Sequence, residues 1–564
     1  MSPEQQSRQR GLRGIARSVF RRGVQVSGIL WKHGFGPHLR SFGLGRFLPR
    51  SAEGQVEPAA AGSDLPVRLR LACEEIGPVT VKLAQVLGSR PDLIPIEYAQ
   101  EFRKLQDNVP PFSWDQARKV IESDLGAPVG QLFASIEQQP SASASVAQVH
   151  KAKLPDGRAV AVKVQRPEAQ RVVDTDLLIL AFAAREAERH IRGMKDYHLT
   201  DHVEEFARTL RAELDFTNEG HNTDRMRQSL SDDRHVVVPR VHWDHTSRRV
   251  LTMDWLDGVR ADDVEAIEKA GISRGSVAAH LAQSMLHQIF VRGYFHADPH
   301  PGNLLVLSDG RLAFLDYGNV GSVDRSMRET LVKLLLAVLE DDGIEVYDQI
   351  IDMGVVGEDT DLRQLRNDVQ RMMGHYAGVS TSQLSMGDVL EEMMVIVFRH
   401  RITMPPAFAS VLRSLIMTEG TCRRLSPGFD FREPAERVSR EVLQNWFQPG
   451  NLIRGIWRSF RDIQRYSLLI PRQVSELLAQ FQVGGVTVKI EAEERDQILR
   501  RADAMANRLA FSLVVSAMIV GSSVMLSSER ATSLLSTPGA VAYVVIGALL
   551  GLYLLISIIR SGGR

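Results

Sequence analysis

His296-Ala297-Asp298-Pro299-His300-Pro301-Gly302-Asn303, with Leu315-Asp316-Tyr317-Gly318 shortly after it, decides how this chain is read. Asp298 and Asn303 stand five residues apart on one loop. Asp316 follows the apolar run Leu312-Ala313-Phe314-Leu315, which predicts a short buried strand with Asp316 at its exit. Phosphoryl transfer from ATP needs that set. One carboxylate orients the attacking hydroxyl, an amide and a second carboxylate hold Mg²⁺, and the metal neutralises the phosphates. Asp298 is therefore the candidate catalytic residue, Asn303 and Asp316 are candidate metal ligands, and ATP and Mg²⁺ are the expected cofactors. Two unrelated polar turns would leave the order, the spacing and the strand context unexplained.

Upstream, the pattern has a period of two. Ser141 to Ala152 runs into Pro155-Asp156-Gly157-Arg158 and then Ala159-Val160-Ala161-Val162-Lys163-Val164. This predicts strand, small-residue loop, strand, hairpin, strand. Ala142, Ser143, Ala144, Ser145, Val146 and Ala147 allow close backbone approach, and their N–H groups could cradle phosphates. A lysine inside an apolar strand is costly to bury without a partner. Lys163 thus needs an anion, either nucleotide phosphate or a Glu from the next helix; a lysine snorkelling from a sheet edge is the alternative.

From Val172 to Asn222 the chain reads as charged helix holding Glu213, Asp215 and Glu219. Glu213 and Asp215 would diverge on a helix, and Glu219 would share a face with Asp215. Val236 to Pro239 and Val250 to Met253 read as strands, with Asp254 to Gly258 as a connector. Helix from Ser276 to Gly293 then leads up to His296. That order is how a kinase passes from its N-lobe through a hinge to its C-lobe. After Gly318 the pattern is helical to Arg508.

The chain has 564 residues, too many for one core, and 68 basic against 68 acidic residues, so it carries no overall nucleic-acid footprint. Cys73 and Cys422 make no disulfide framework or metal cluster, which suits a reducing compartment. Leu509 to Leu526 and Ala540 to Ile559 are apolar and uncharged, each about long enough to cross a ~30 Å hydrocarbon core. Arg500, Arg501 and Arg508 flank the first and Arg560 and Arg564 follow the second. A two-span hairpin with both ends cytoplasmic is expected, which makes the chain a multi-pass protein of the inner (cytoplasmic) membrane. A buried helical hairpin is the alternative. Ile15 to Trp31 suits either an interfacial amphipathic helix or a disordered basic arm.

The expected fold is α+β and bilobal, like a protein kinase. Its parts are a basic segment (1–65), a helical extension (66–111), a β-rich N-lobe with inserted helices (112–258), a helical C-lobe (259–505) and the hairpin (506–564). Pro78 starts a helix on which Lys82 and Gln85 fall three apart, a spacing that a surface helix explains by itself. No Ala-Pro-Glu follows Asp316, which argues against a peptide-phosphorylating enzyme.

From Leu69 to Arg325 the sequence resembles the UbiB/ADCK (ABC1/AarF) family of atypical kinases. The resemblance implies that Asp298 is the catalytic-loop Asp, and that Asn303 and Asp316 bind Mg²⁺. It makes Lys163 the phosphate-contacting Lys and Glu219 its partner. Ser141 to Gln148 resembles the Ala-rich loop and Met253 to Gly258 the hinge, so Met253 joins the nucleotide site. Lys82 and Gln85 resemble the KxGQ element, and Glu213 and Asp215 the ExD motif. In the family that Lys meets the ExD carboxylates and its helix obstructs peptide substrates, a regulatory arrangement. Ala84 stands where the family has Gly, and Ser143 interrupts the Ala-rich loop.

The resemblance also implies an ATPase supporting ubiquinone or related isoprenoid quinone biosynthesis. The lipid bilayer, quinone-biosynthesis enzymes, isoprenoid intermediates and a second copy of the chain are its expected partners. An ATP-gated scaffold or chaperone, and a small-molecule or lipid phosphotransferase, are the alternatives.

Overall fold

Val160, Val162 and Val164 alternate with Ala159, Ala161 and Lys163 along one strand, and all three valines are wholly buried. A strand with one face in the core and one on a cleft has that pattern. In the computed structural model this strand is the centre of the first sheet. The structure describes residues 19–36, 64–88, 94–102, 104–105, 110–144, 146–190, 199–354, 356–357, 360–376, 386–400, 402 and 404–446. All lie in the unit Met1–Leu452.

The first sheet is five-stranded. β1 (Ser135–Ile136), β3 (Ala147–Lys153), β4 (Ala159–Gln165) and β6 (Val250–Asp254) lie in the order β1-β3-β4-β6, with β2 (Ala142–Ser143) also on β3. Its back packs on the capped helix α4 (Trp114–Leu125) through Ala117, Val120 and Ile121. Preceding it are α1 (Leu65–Ile76), α2 (Pro78–Gly88) and α3 (Ile96–Phe102). Beyond β4 come α5 (Ala169–His190), α6 (Leu199–Glu213) and α7 (Phe216–Ser229).

The sequence reads one helical stretch across α6 and α7, but the chain breaks at Leu214. Asp215 is not on a helical face. It is the N-cap of α7, its Oδ1 accepting from Thr217 N–H at 3.1 Å. Short polar side chains win at such positions by satisfying orphan helix-start N–H groups. Glu213 and Glu219 therefore sit on different helices.

The second lobe carries β5 (Val236–Val237), β7 (Gly258–Arg260), β9 (Leu304–Leu307) and β10 (Leu312–Phe314) in the order β5-β10-β9-β7. β5 pairs parallel with β10, so this strand belongs with the catalytic-loop sheet and not beside β6. β8 (Tyr294–His296) pairs with β11 (Val320–Ser322). Around them pack α8 (Arg274–Leu286), α9 (Arg325–Leu339), α10 (Gly343–Met353), α11 (Leu362–Tyr376), α12 (Met386–Arg399), α13 (Pro406–Leu425) and α14 (Arg432–Trp446). Their inward faces share one large apolar core.

Gly293 ends the helical run after α8 with φ +70°, and a Cβ there would meet Val323 O at 2.7 Å. Gly293→Ala should cost about 1–3 kcal/mol, read as a lowered unfolding midpoint.

The multi-pass inner-membrane placement is corrected. Among the described residues no helix is long and apolar enough to cross a membrane. The longest, α5 with 22 residues and α13 with 20, carry charges along their length, such as Arg171, Asp174 and Arg185 or Arg413, Glu419 and Arg423. Leu509 to Leu526 and Ala540 to Ile559 lie outside the described residues. Residues 19–32 are helical, and Arg22 is spent on protein: its guanidinium holds Asp176 at 2.7 Å and the Ile76 carbonyl at 2.7 Å.

Candidate active site

Lys163 is placed by sheet register. It pairs with Val149 on β3 and Leu251 on β6, and its side chain leaves the face opposite the valines. On that face lie Ala147, Ala161, Leu251, Met253 and Phe216, an apolar wall suited to a planar base. The ammonium meets Glu219 of α7 at 2.8 Å and Asp316 at 3.4 Å. Burial works to lower the lysine's pKa, but the charges of Asp316 and Glu219 overcome it and hold it above its ordinary value. Burial pushes Glu219 up to about 7, against the pull of Lys163. For Asp316 burial acts upward too, yet Lys163 brings the carboxyl down to about 2.

The two metal-ligand candidates are brought together by the backbone. Leu315 N–H donates to the Asn303 carbonyl at 2.9 Å, so Asn303 lies beside the chain that carries Asp316. The Asp316 carboxylate is itself oriented by Gly318 N–H at 2.7 Å. Both candidates offer oxygen, the donor type a hard cation takes. Among the described residues no three His, Cys, Asp or Glu side chains could hold a metal by themselves. A protein site of one carboxylate and one amide, completed by nucleotide phosphates, fits Mg²⁺.

His296 ties the catalytic loop to Asp316. Asp298 N–H donates to His296 Nδ1 at 3.2 Å, so the ring proton is on Nε2, which donates to the Asp316 carbonyl at 2.5 Å. Burial lowers the pKa of this imidazole and favours that neutral form. The Asp298 carboxylate meets Arg413 of α13 at 3.2 Å. The motif assigns no role to His296, and no sequence pattern points to Arg413. His296 sits inside the motif and was findable; an arginine 115 residues downstream of Asp298 on an amphipathic helix carries no local signal.

The small-residue loop is a hairpin. β2 pairs with β3, and Ala144 N–H donates to Ala147 O at 2.8 Å. Ala142, Ser143, Ala144, Val146 and Ala147 are thus held at the end of the first sheet, while Ser145 lies outside the described residues. The Arg166 guanidinium contacts the Ala144 carbonyl and Ser143 Oγ, each at 3.1 Å. Ser143, a departure from an all-Ala loop, therefore anchors it.

Lys82 of α2 meets Glu213 at 2.5 Å. Gln85 donates to the Leu105 carbonyl at 3.4 Å, and the outer oxygen of Asp215 meets Arg248 at 3.0 Å.

The chain matches the ABC1 atypical kinase-like domain over residues 104–350, the UbiB helical domain over 369–430 and the ABC1/UbiB kinase-like C-terminal domain over 493–560. It is 32% identical over 454 residues to an uncharacterized protein of Synechocystis sp., spanning 80% of this chain and 78% of that one. It is 33% identical over 460 residues to a probable protein kinase UbiB of Xanthomonas axonopodis pv. citri, spanning 79% and 82%. Among solved structures, the complex of Rv3197 with erythromycin from Mycobacterium tuberculosis aligns at a TM-score of 0.46 with 23% identity, covering 66% of this chain and 94% of that one.

Proposed function

We propose a function from the premise that this chain belongs to the UbiB/ADCK (ABC1) family of atypical kinases: it is an ATP-dependent, kinase-like enzyme that supports the biosynthesis of ubiquinone or a related isoprenoid quinone. The observation that carries the nucleotide chemistry is the sharing of Lys163 between Glu219 and Asp316. A cation suited to phosphate is thereby held within reach of a carboxylate suited to the metal.

In this reading the nucleotide base lies against Ala161, Leu251 and Met253. Lys163, oriented by Glu219, takes phosphate oxygens. Asp316 and Asn303 hold Mg²⁺, which when bound neutralises charge on the transferred phosphoryl. Asp298 orients the acceptor, water or a hydroxyl. The Lys82–Glu213 contact and the missing Ala-Pro-Glu motif favour an acceptor other than a peptide. The quinone role is what the family resemblance implies; relatives in Marinobacter and Xanthomonas carry the name probable protein kinase UbiB.

Purified full-length protein should hydrolyse ATP only with Mg²⁺ present. A strain lacking the gene should lose quinone and regain it with the wild-type gene but not with Asp298→Asn. Full rescue by Asp298→Asn would instead support a nucleotide-gated scaffold.

A further inference from the structure

We propose that Arg413 is a positioning residue for Asp298, and that α13 is the strut that fixes the catalytic loop from outside the kinase-like motif. The proposal rests on the nucleotide reading above. Asp298 lies on a loop, where its carboxylate has no regular secondary structure to set its direction. Arg413 Nη2 meets its Oδ1 at 3.2 Å. The next residue, Ser414, is wholly buried, and its hydroxyl donates to the His296 carbonyl at 2.9 Å. Consecutive residues of one helix therefore grip the loop at His296 and at Asp298.

Neighbouring helical side chains leave the axis about 100° apart, so two grips fix the loop's rotation as well as its position. The strut itself is anchored: Phe408, Val411, Leu412 and Leu415 of α13 are buried in the lobe's core. His296 meanwhile ties the same loop to the Asp316 carbonyl. One helix turn thus sets the acceptor-orienting carboxylate relative to the metal-binding one. An ordinary half-exposed ion pair would only trim stability. This one ends on the side chain that orients the acceptor, where a displacement of about 1 Å costs on the order of 100-fold in rate.

The test is steady-state ATP turnover by full-length wild type, Arg413→Met, Arg413→Lys, Asp298→Asn and the Arg413→Met/Asp298→Asn double variant. Binding of a fluorescent ADP analogue is measured on each. Arg413→Met should lower kcat about 10- to 100-fold while KM for ATP and analogue affinity stay within about twofold. Arg413→Lys, which keeps the charge and the stem, should regain part of kcat. In the Asp298→Asn background Arg413→Met should have no further effect, because the carboxylate it positions is gone.

Losses that multiply in the double variant would overturn the proposal. So would a fall in analogue affinity parallel to kcat, which marks collapse of the nucleotide site. If Arg413→Met does not fold, Arg413→Lys decides: wild-type kcat in that variant overturns the idea. Wild-type turnover that survives Arg413→Met defeats this inference alone, whereas no turnover by the wild type defeats the nucleotide reading and this one with it.

Discussion

Asp316→Asn should lower Mg²⁺-dependent ATP turnover by on the order of 100-fold or more while leaving the protein folded. The substitution keeps the shape and one oxygen that can accept from Gly318 N–H, the bond that orients the native side chain at 2.7 Å. It removes the charge. In the native protein burial favours the neutral acid, but Lys163 at 3.4 Å brings Asp316 down to about 2, so the carboxylate is ionised throughout the physiological range. A hard divalent ion that keeps most of its water is held by few protein groups, and losing the anionic one is correspondingly severe. Turnover measured against Mg²⁺ concentration, with an unfolding midpoint for each protein, checks the expectation. Wild-type rates at saturating Mg²⁺ would exclude Asp316 as the metal carboxylate.

Lys163→Met should be the most destabilising single change at the site, by about 3–5 kcal/mol at pH 8, because it removes one member of a buried ion pair. Glu219 is only 5% exposed, and among the described residues it pairs with no other cation. The deficit carries a pH signature. Burial already pushes Glu219 up to about 7, against the attraction of Lys163. Without that attraction its proton affinity rises further. An acid whose folded-state pKa is raised stabilises the folded form below its unfolded pKa, and this contribution is lost as pH rises through the folded value. In acid Glu219 is neutral in both proteins and the deficit is small; it widens with rising pH as the variant strands a carboxylate that the wild type pairs. Denaturant midpoints of both proteins at pH 5.5 and pH 8 measure it. A difference that is the same at both would mean that Glu219 does not titrate with the pair.

What could be read from the chain, and what could not, divides by the range of the cause. Asp298, Asn303 and Asp316 are visible because phosphate chemistry requires those residue types at fixed spacing, next to an apolar strand. Lys163 is visible because an ammonium in a valine-rich strand requires an anion. The break at Leu214 was missed because Asp215 and Thr217 act as a helix start only when the preceding helix stops, and its polar residues also suit a continuous helix. The pairing of β5 with β10 joins Val236 to Leu312, and nothing local to either strand announces it. Arg413 falls in the same class, since one arginine among several on α13 becomes special only through where the helix lies.

The hairpin between β3 and β4 has a consequence of a different kind. It turns through Pro155 to Arg158, with Gly157 at φ +89°, and Lys163 reaches Glu219 only because Val149 stands opposite it. A strand slipped by one position would present a valine to the cleft and drive the lysine into the valine core. The turn therefore works as a ruler. Its chemistry is free to drift so long as the backbone geometry at Gly157 is kept, but its length is not. Natural variation in this stretch should appear as substitution, with insertions and deletions confined to loops that do not set the phase of β4.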